Sequence, residues 1–381
     1  MTRAMSYKPS TRHPNGARLI ALDGGGVRGI MALEVLDALM VLIKERKGLA
    51  EIPRPVDYFE LAAGTSTGGI MGIMLFRLRM TARETIEQYN KIAEQVFSPK
   101  VYGFNISRLV GNTVAGWINN SKTLVQNSRF DDASMKAAID GVVAEFGLDE
   151  QDRKLKGNAP LHHPESGRVF CCTTVQNRAE TVLLRSYRQK NVYTSSIVNN
   201  AMSEHQDEIT ISLAARATSA APTFFPEVRF PESSPKLTFW DGGLLNNNPI
   251  DQLWYSRYEL VQAEDPPPPI SCVISLGTGY MRPGSPSDSW FKLAGVATHV
   301  MDFATNTNAK GKDFSRHMSQ MNRRSEHKDS KYIRLNPYLG FRGIGLADYT
   351  RMKDLQKIAR KYMEHPSNRE RIESAVGAIC A

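Results

Sequence analysis

The sequence predicts an α/β fold built on a mostly parallel sheet. The main observation is a repeated order of apolar run, glycine turn and helix-like stretch. The strand-like run Arg18–Leu22 leads through glycines 24–26 into the amphipathic stretch Ile30–Lys47. A second apolar run, Tyr58–Ala63, leads through another glycine turn into the helix-like stretch Gly69–Phe76. Strands that alternate with helices in this way are typical of an α/β fold.

The turn after the second predicted strand contains a candidate nucleophile. Residues Gly64–Gly68 read Gly-Thr-Ser-Thr-Gly and fit the pattern G-x-S-x-G between a strand and a helix. In that context a sharp turn lifts the serine hydroxyl clear of the sheet. Gly64 and Gly68 let the strand and the helix approach each other without Cβ clashes. The context therefore makes Ser66 a candidate, although the pentapeptide alone also occurs by chance.

The glycine loop, defined as Asp23–Gly29, allows two interpretations. Consecutive glycines at a helix N-terminus expose backbone N–H groups that stabilise an anion. One interpretation is a dinucleotide-binding fingerprint, because Gly24, Gly26 and Gly29 fit G-x-G-x-x-G. No acidic residue ends a convincing second strand at the required distance, as that site needs. The other interpretation is an oxyanion hole formed by the amides of Gly24, Gly25 and Gly26, and the nearby serine turn favours it.

A third candidate segment lies much further along the chain. The strand-like run Leu237–Trp240 is followed by Asp241, two glycines and an asparagine-rich turn that ends at Pro249. Open α/β sheets gather their functional groups at such strand ends. The alternative is an Asx-turn, in which Asp241 only caps the glycine bend.

Together, the motifs D-G-G-G-x-R-G, G-x-S-x-G and D-G-G resemble those of the patatin-like phospholipase family. The segments Ala214–Pro222 and Ile274–Gly279 agree with the same family, and the match runs in order from about residue 18 to residue 279. The resemblance implies a three-layer α/β/α fold with a mostly parallel central sheet and a helical C-terminal extension.

The resemblance and the absence of an internal linker together suggest one catalytic domain. We expect a flexible arm over residues 1–16 and a single domain over residues 17–381. Its motif-bearing core spans about residues 17–280, and a helical part follows over about residues 285–381. Tyr102–Arg129 is rich in glycine, asparagine and serine and suggests a long flap or lid.

The resemblance also implies a lipid acyl hydrolase that uses a Ser–Asp dyad in place of a triad. At the matching positions Ser66 is the nucleophile and Asp241 is the base. Gly24–Gly26, with Arg28 beside them, correspond to the family's oxyanion loop. Such enzymes form an acyl-enzyme on serine and release the acyl group to water, acting on membrane glycerolipids. The implied activity is of the phospholipase A type.

A histidine base is the alternative to Asp241, because histidine is the usual partner of a catalytic serine. In the chain order Ser…Asp…His the candidates are four histidines, none of which ends a strand or adjoins a glycine turn. They are His299, His317, His327 and His365. If Asp241 is the base, burial must raise its pKa towards the working pH.

The composition is that of a globular enzyme with no built-in metal or cofactor site. The chain has 381 residues, of which 41% are hydrophobic. No run of about 18 apolar residues long enough to span a membrane is present, and no signal peptide is recognised. The 4 cysteines show neither metal spacing nor a disulfide framework, which favours reduced thiols in the cytoplasm. Carboxylate clusters of the calcium-loop type are missing, so we expect calcium independence.

The charge suggests an anionic partner. The 48 basic residues exceed the 39 acidic ones, giving a net charge of +9. Part of the excess lies in Lys310–Lys331, where no stacked aromatic residues interleave the basic ones, as a single-stranded nucleic-acid site would need. The apolar helical pattern of Trp290–Phe303 suits either core or an interfacial helix. We therefore expect peripheral contact with an anionic membrane surface and no nucleic acid. Restraint of the activity by a further regulatory domain or by a homo-oligomer is also expected.

Overall fold

The computed structural model describes residues 15–98, 100–101, 104–105, 130–176, 178–189, 198, 202, 204–222, 224–231, 236–261, 268–281, 307–323, 330–340 and 344–381. Its strands are β1 (Ala17–Leu22), β2 (Leu61–Thr65), β3 (Lys100–Val101), β4 (Phe104–Asn105), β5 (Val169–Val175), β6 (Glu180–Arg185), β7 (Val228–Phe230), β8 (Leu237–Asp241), β9 (Ile270–Leu276) and β10 (Lys331–Leu335).

The α-helices of the same residues are α1 (Gly29–Lys47), α2 (Thr67–Gly72), α3 (Ala82–Phe97), α4 (Asp132–Phe146), α5 (Glu150–Leu155), α6 (Ile211–Thr218), α7 (Gly243–Asn246), α8 (Ile250–Ser256), α9 (Thr307–Arg323), α10 (Met352–Glu364) and α11 (Arg369–Cys380). A π-helical turn, Ile73–Arg77, continues α2. Helix α3 begins with a capping box, in which Thr81 and Glu84 satisfy each other's backbone N–H groups.

The central sheet has eight strands and is mostly parallel. The strands β10, β9, β1, β2 and β5 lie side by side in parallel. Beyond them the pairings are antiparallel: β6 and β8 both pair with β5, and β7 pairs with β8. The mostly parallel sheet confirms the predicted fold class.

Helices cover both faces of this sheet, because side chains along each strand alternate between two apolar layers. On one face Ile20 and Leu22 of β1 join a core with helices that include α1, α2, α10 and α11. On the other face Leu19 and Ala21 join a smaller core with Trp254 of α8 and with α9. The result is the expected three-layer α/β/α arrangement.

The C-terminal part contains the expected helices and one strand besides. It holds α9, α10 and α11, but also β10, which pairs in parallel with residues 272–276 of β9. Lys331 and Arg334 interrupt the apolar signal of this short strand, and charged side chains are common in a strand at the edge of a sheet. The C-terminal part therefore completes the central sheet.

Several expectations fall outside the described residues. They include the N-terminal arm except for Asn15 and Gly16, most of the predicted flap over residues 102–129, and the apolar stretch over residues 290–303. Within the described residues, none of the helices combines the length and the apolar character needed to cross a bilayer.

Candidate active site

Ser66 occupies a strained turn between β2 and α2. Its backbone has φ 55° and ψ −127°, in the left-handed half of conformational space that side chains rarely adopt. A Cβ at Gly64 would clash with the carbonyl oxygen of Gly68, and one at Gly68 would clash with that of Leu22. Both flanking positions therefore require glycine, because the turn is packed directly against the end of β1.

A threonine that sequence analysis did not identify stabilises this turn. The Ser66 N–H donates to Thr218 Oγ1 at 3.0 Å, and Thr218 Oγ1 in turn donates to the carbonyl oxygen of Cys172 at 2.6 Å. Thr218 ends α6 and is fully buried. The strained serine is thus tied to strand β5 through one hydroxyl group.

Asp241 reaches Ser66 because two strands end against each other along β5. In the ladders, Thr65 of β2 lies opposite Cys172, and Asp241 of β8 lies opposite Thr173. Since β6 occupies the other edge of β5, β2 and β8 must share one edge and meet at their carboxyl ends. Ser66 Oγ consequently donates to Asp241 Oδ2 at 2.7 Å.

The environment of Asp241 gives its carboxyl group the properties of a base near neutral pH. The residue is 1% exposed, and burial raises the pKa of its carboxyl to about 6, although the hydrogen bonds from Ser66 and Gly243 lower it. The Gly243 N–H donates to Asp241 Oδ1 at 2.6 Å, which fixes the carboxylate with Oδ2 towards the serine. The Asx-turn interpretation is thus also correct, since the same residue caps the bend and contacts Ser66.

The glycine loop lies beside the dyad, but its amides differ in availability. The Gly24 N–H donates to the carbonyl oxygen of Asn247 at 2.9 Å and so is already engaged. Gly25 and Gly26 line the same cleft as Ser66, and among the described residues no acceptor is found for either N–H group. Gly26 has φ +54°, and a Cβ there would clash with Leu346 O, so this position requires glycine. The two amides can bind an oxyanion.

The loop is held in place by residues that sequence analysis did not select. Tyr89 Oη donates to Gly26 O at 2.5 Å, and Thr278 Oγ1 donates to Gly24 O at 2.8 Å. The buried Asp23 carboxylate forms an ion pair with Arg334 of β10. These contacts join the loop to α3, to the end of β9 and to the C-terminal part, and no motif indicates that these residues meet.

Arg28, at the end of the glycine loop, bonds to a segment near the C-terminus. Its Nε donates to Ile344 O at 2.5 Å, and the adjacent Val27 N–H donates to Leu346 O at 2.8 Å. Arg28 does not belong to the lining of the cleft, whereas Leu346 does. Arg28 and Val27 therefore tie residues 344–346 to the glycine loop.

Ser66 and Asp241 line a cleft of about 720 Å³, counted together with its mouth. Gly25, Gly26, Thr67 and Asn247 add polar groups near the dyad. The remaining lining is largely apolar, with side chains that include Ile70, Ile92, Phe97, Met135, Phe225 and Leu346. A polar reaction centre at the wall of an apolar cleft suits a substrate with a reactive carbonyl and a long hydrocarbon part.

The described histidines lie away from this centre. His317 packs beside Trp254, with ring centroids 6.4 Å apart, and the exposed ring of His365 bonds with Ser367. Neither belongs to the cleft lining. His299 and His327 lie outside the described residues.

One cluster among the described residues has metal-ligand geometry, formed by Asp149, Asp152 and His163. Arg77 already makes two 2.8 Å contacts to the carboxylate of Asp152, and Asp149 Oδ1 accepts the Asp152 N–H at 2.7 Å. These interactions satisfy the cluster as a structural ion pair and a helix cap.

Comparison with known proteins shows that the sequence matches the model of a known family. The sequence model described as patatin-like phospholipase matches residues 20–254, which is more than half of the chain. The match includes the glycine loop, the serine turn and Asp241. It ends before β9, so Arg334 and Leu346 lie beyond it.

Individual relatives are identical to this chain at more than a quarter of the aligned residues. Calcium-independent phospholipase A2-gamma of Rattus norvegicus is 27% identical over 296 residues, covering 77% of this chain and 32% of that protein. Patatin-like protein 3 of Arabidopsis thaliana is 27% identical over 290 residues, covering 69% of this chain and 59% of that protein. The cGAMP-activated phospholipase of Vibrio cholerae is 29% identical over 283 residues, covering 73% of this chain and 68% of that protein. The alignment thus spans about a third of the rat protein and larger shares of the other two.

Proposed function

This chain belongs to the patatin-like phospholipase family, and from that premise we propose that it is a serine lipid acyl hydrolase. It cleaves fatty-acyl esters of membrane glycerolipids in the manner of a phospholipase A. The observation that carries the proposal is the 2.7 Å hydrogen bond from Ser66 Oγ to Asp241 Oδ2 beside an apolar cleft. Two of the relatives are named as phospholipases, which supports this class of substrate.

In the acylation half-reaction Ser66 Oγ attacks the ester carbonyl carbon while Asp241 Oδ2 takes the serine proton. The carbonyl oxygen becomes an oxyanion that accepts hydrogen bonds from the N–H groups of Gly25 and Gly26. The C–O bond to the lysolipid then breaks, and the protonated Asp241 gives its proton to the leaving oxygen. The acyl group remains on Ser66.

In the deacylation half-reaction water attacks the acyl-enzyme carbonyl and gives its proton to Asp241. The same two amides hold the second oxyanion. When the fatty acid leaves, Asp241 returns the proton to Ser66 Oγ, which restores the starting state. Each proton and charge is accounted for by a carboxylate and two amides, so the proposal assigns no role to calcium or to a cofactor.

We extend the proposal to the membrane surface. On α9 the side chains of Lys312 and Arg323 are exposed, and a basic surface attracts anionic lipid. Arg316 is exposed too, but it pairs with Asp313 on the same helix. Lys310 does not belong to this set, because it pairs with Asp251 at 3.2 Å and donates to Asn246 Oδ1 at 3.1 Å. Peripheral, cytoplasmic membrane association follows from this proposal, and the 4 cysteines, all buried and unpaired, suit a reducing compartment.

Residues 17–381 form a single catalytic domain in this proposal, because β10 completes the sheet that carries the site. Restraint by a regulatory domain or by self-association remains part of the proposal. The Vibrio cholerae relative is named as activated by cGAMP, so an assay of this chain should include that nucleotide as one arm.

The test is hydrolysis of phospholipid vesicles and of a p-nitrophenyl acyl ester series by wild type, Ser66→Ala and Asp241→Asn. Each protein is assayed with and without cGAMP, and circular dichroism confirms that the variants are folded. We expect fatty-acid release by wild type and its loss in both variants. Full activity in Asp241→Asn would instead require a histidine base. If wild type hydrolyses no substrate, with or without cGAMP, the proposal is wrong.

A further inference from the structure

Helix α3 forms one continuous wall of the cleft. Tyr89, Ile92, Ala93 and Phe97 all line the cleft, and their spacing places them on a single helical face. Tyr89 Oη donates to Gly26 O at 2.5 Å, so the first of these residues contacts the glycine loop. The wall therefore begins at the position where the substrate carbonyl is to bind.

The other end of this wall meets a cluster of aromatic rings. The rings of Phe97 and Phe130 are 5.1 Å apart edge to face, and those of Phe97 and Phe225 are 6.1 Å apart. The Phe130 and Phe225 rings complete the triangle at 5.7 Å. Phe97 and Phe225 both line the cleft, and Phe130 contacts both rings without lining it. A hydrocarbon chain that follows α3 from the glycine loop meets this cluster.

We propose that this face of α3 measures the acyl chain of the substrate, with Phe97 as the residue that sets its length. The inference rests on the proposed function. The helix rises about 12 Å between Tyr89 and Phe97. An extended chain of about ten carbons has this length, given C–C bonds of about 1.5 Å in a zigzag. The enzyme should therefore gain affinity with each added carbon up to about ten and gain little more from the longer chains common in membranes.

The physical reason is the change in what each added methylene contacts. Up to the aromatic cluster, each methylene leaves water for the apolar wall and raises affinity about fourfold. At the cluster, a further methylene must displace packed rings, so the affinity stops rising. The cleft thus predicts a break in the affinity series at a defined chain length.

Binding tests this inference without requiring hydrolysis. Full-length Ser66→Ala is titrated with primary amides of saturated fatty acids, shorter and longer than about ten carbons. These amides keep the carbonyl group but carry no carboxylate that Asp241 would repel. We expect affinity to rise with length and then to level off near ten carbons. A continuous rise through much longer chains would overturn the inference.

Two further variants move the break in opposite directions. Phe97→Ala opens the end of the cleft and should move the break to longer chains. Ala93→Leu fills the cleft about one helical turn nearer to Ser66, roughly 6 Å, and should move it to shorter ones. Val96→Ala is the control, because Val96 is buried on α3 but does not line the cleft. If Phe97→Ala fails to fold, Ala93→Leu alone tests the inference. The inference is wrong if affinity in Ala93→Leu stops rising at the same chain length as without this substitution.

Hydrolysis of the ester series by wild-type protein separates this inference from the proposed function. If hydrolysis does not depend on chain length, the inference about α3 and Phe97 is wrong, and the proposed acyl hydrolase activity is retained. If the break in the binding series moves as expected but wild type hydrolyses no ester, the inference about α3 is supported and the proposed hydrolase activity is wrong.

Discussion

Ser66 and Asp241 lie 175 residues apart in the chain, yet their side chains share a 2.7 Å hydrogen bond. The cause is the register of β5, whose neighbouring residues Cys172 and Thr173 pair with the last residues of β2 and β8. The antiparallel direction of β8 is essential here, because it makes β8 run towards β2 along the same edge of β5. A parallel strand at that edge would run away from β2, and its last residue would lie far from Thr65. Three strands thus position two side chains without a long loop.

The raised pKa of Asp241 predicts how activity depends on pH. Its carboxyl has a pKa of about 6 because it is buried, and only the ionised form can take the serine proton. We expect kcat/KM for a soluble ester to fall below a midpoint near pH 6. A pH–rate profile measures this. Replacement of His317 or His365 should leave the midpoint unchanged, and a shift in either variant would contradict a carboxylate base.

The same pKa predicts that Asp241 lowers the stability of the folded state at neutral pH. A carboxyl with a raised pKa binds its proton more tightly in the folded state, so stability is lost as pH rises from 3.8 to about 6. The shift of roughly two units corresponds to about 3 kcal/mol. Asp241→Asn should therefore unfold at higher urea concentration than wild type at pH 7. The difference should vanish below about pH 4, and an equal difference at both pH values would refute this account.

Arg334→Met tests whether the C-terminal part supports the glycine loop. Asp23 directly precedes Gly24, and the substitution leaves its buried carboxylate without its ionic partner. We expect the free energy of unfolding to fall by about 3–5 kcal/mol and kcat to fall as well. Urea denaturation and ester hydrolysis measure the two effects.

The control for Arg334 is the double variant Asp23→Asn, Arg334→Met, which removes the charge as well as its partner. It should recover much of the lost stability, because no buried charge remains unpaired. If the single and double variants are equally unstable, loss of packing explains the effect and the ion pair does not.

Tyr89→Phe removes the hydroxyl group that holds the Gly26 carbonyl. A hydrogen bond of this kind contributes about 1 kcal/mol, so a looser loop should lower kcat by roughly five- to tenfold. KM should change little, because the apolar wall is retained. Steady-state kinetics measure both constants. Tyr255→Phe on α8 is the control, since Tyr255 is 69% exposed, and an equal loss of kcat there would argue against a local effect.

Gly68→Ala tests the packing of the serine turn. The new Cβ would clash with Leu22 O at the end of β1, so Ser66 must move away from Asp241. We expect a loss of activity larger than the loss of stability. The matched control is Gly141→Ala, an exposed position on α4 with nothing within 4 Å of the new Cβ. That variant should be more stable by about 0.5–1 kcal/mol and fully active.

The local elements were predictable because their signals lie within short segments. The apolar runs of β1 and β2, the glycine turns and the helices that follow them are adjacent in sequence, and each needs only nearby residues to form. The family and the three-layer fold could be predicted for the same reason. Strand β10 could not, because an edge strand with two basic residues has a weak apolar pattern.

Short sequence segments were enough to identify the residues that carry reactive groups: a serine in a glycine turn, an aspartate at a strand end and a loop of glycines. The tertiary structure alone decided which groups meet. It engages the Gly24 amide with Asn247, turns Arg28 towards Ile344, and joins Asp23 to Arg334 across 311 residues. It also turns one face of α3 into the wall of the cleft. These contacts depend on how distant strands align along β5 and β9, and alignment between distant segments leaves no mark in any short stretch of sequence.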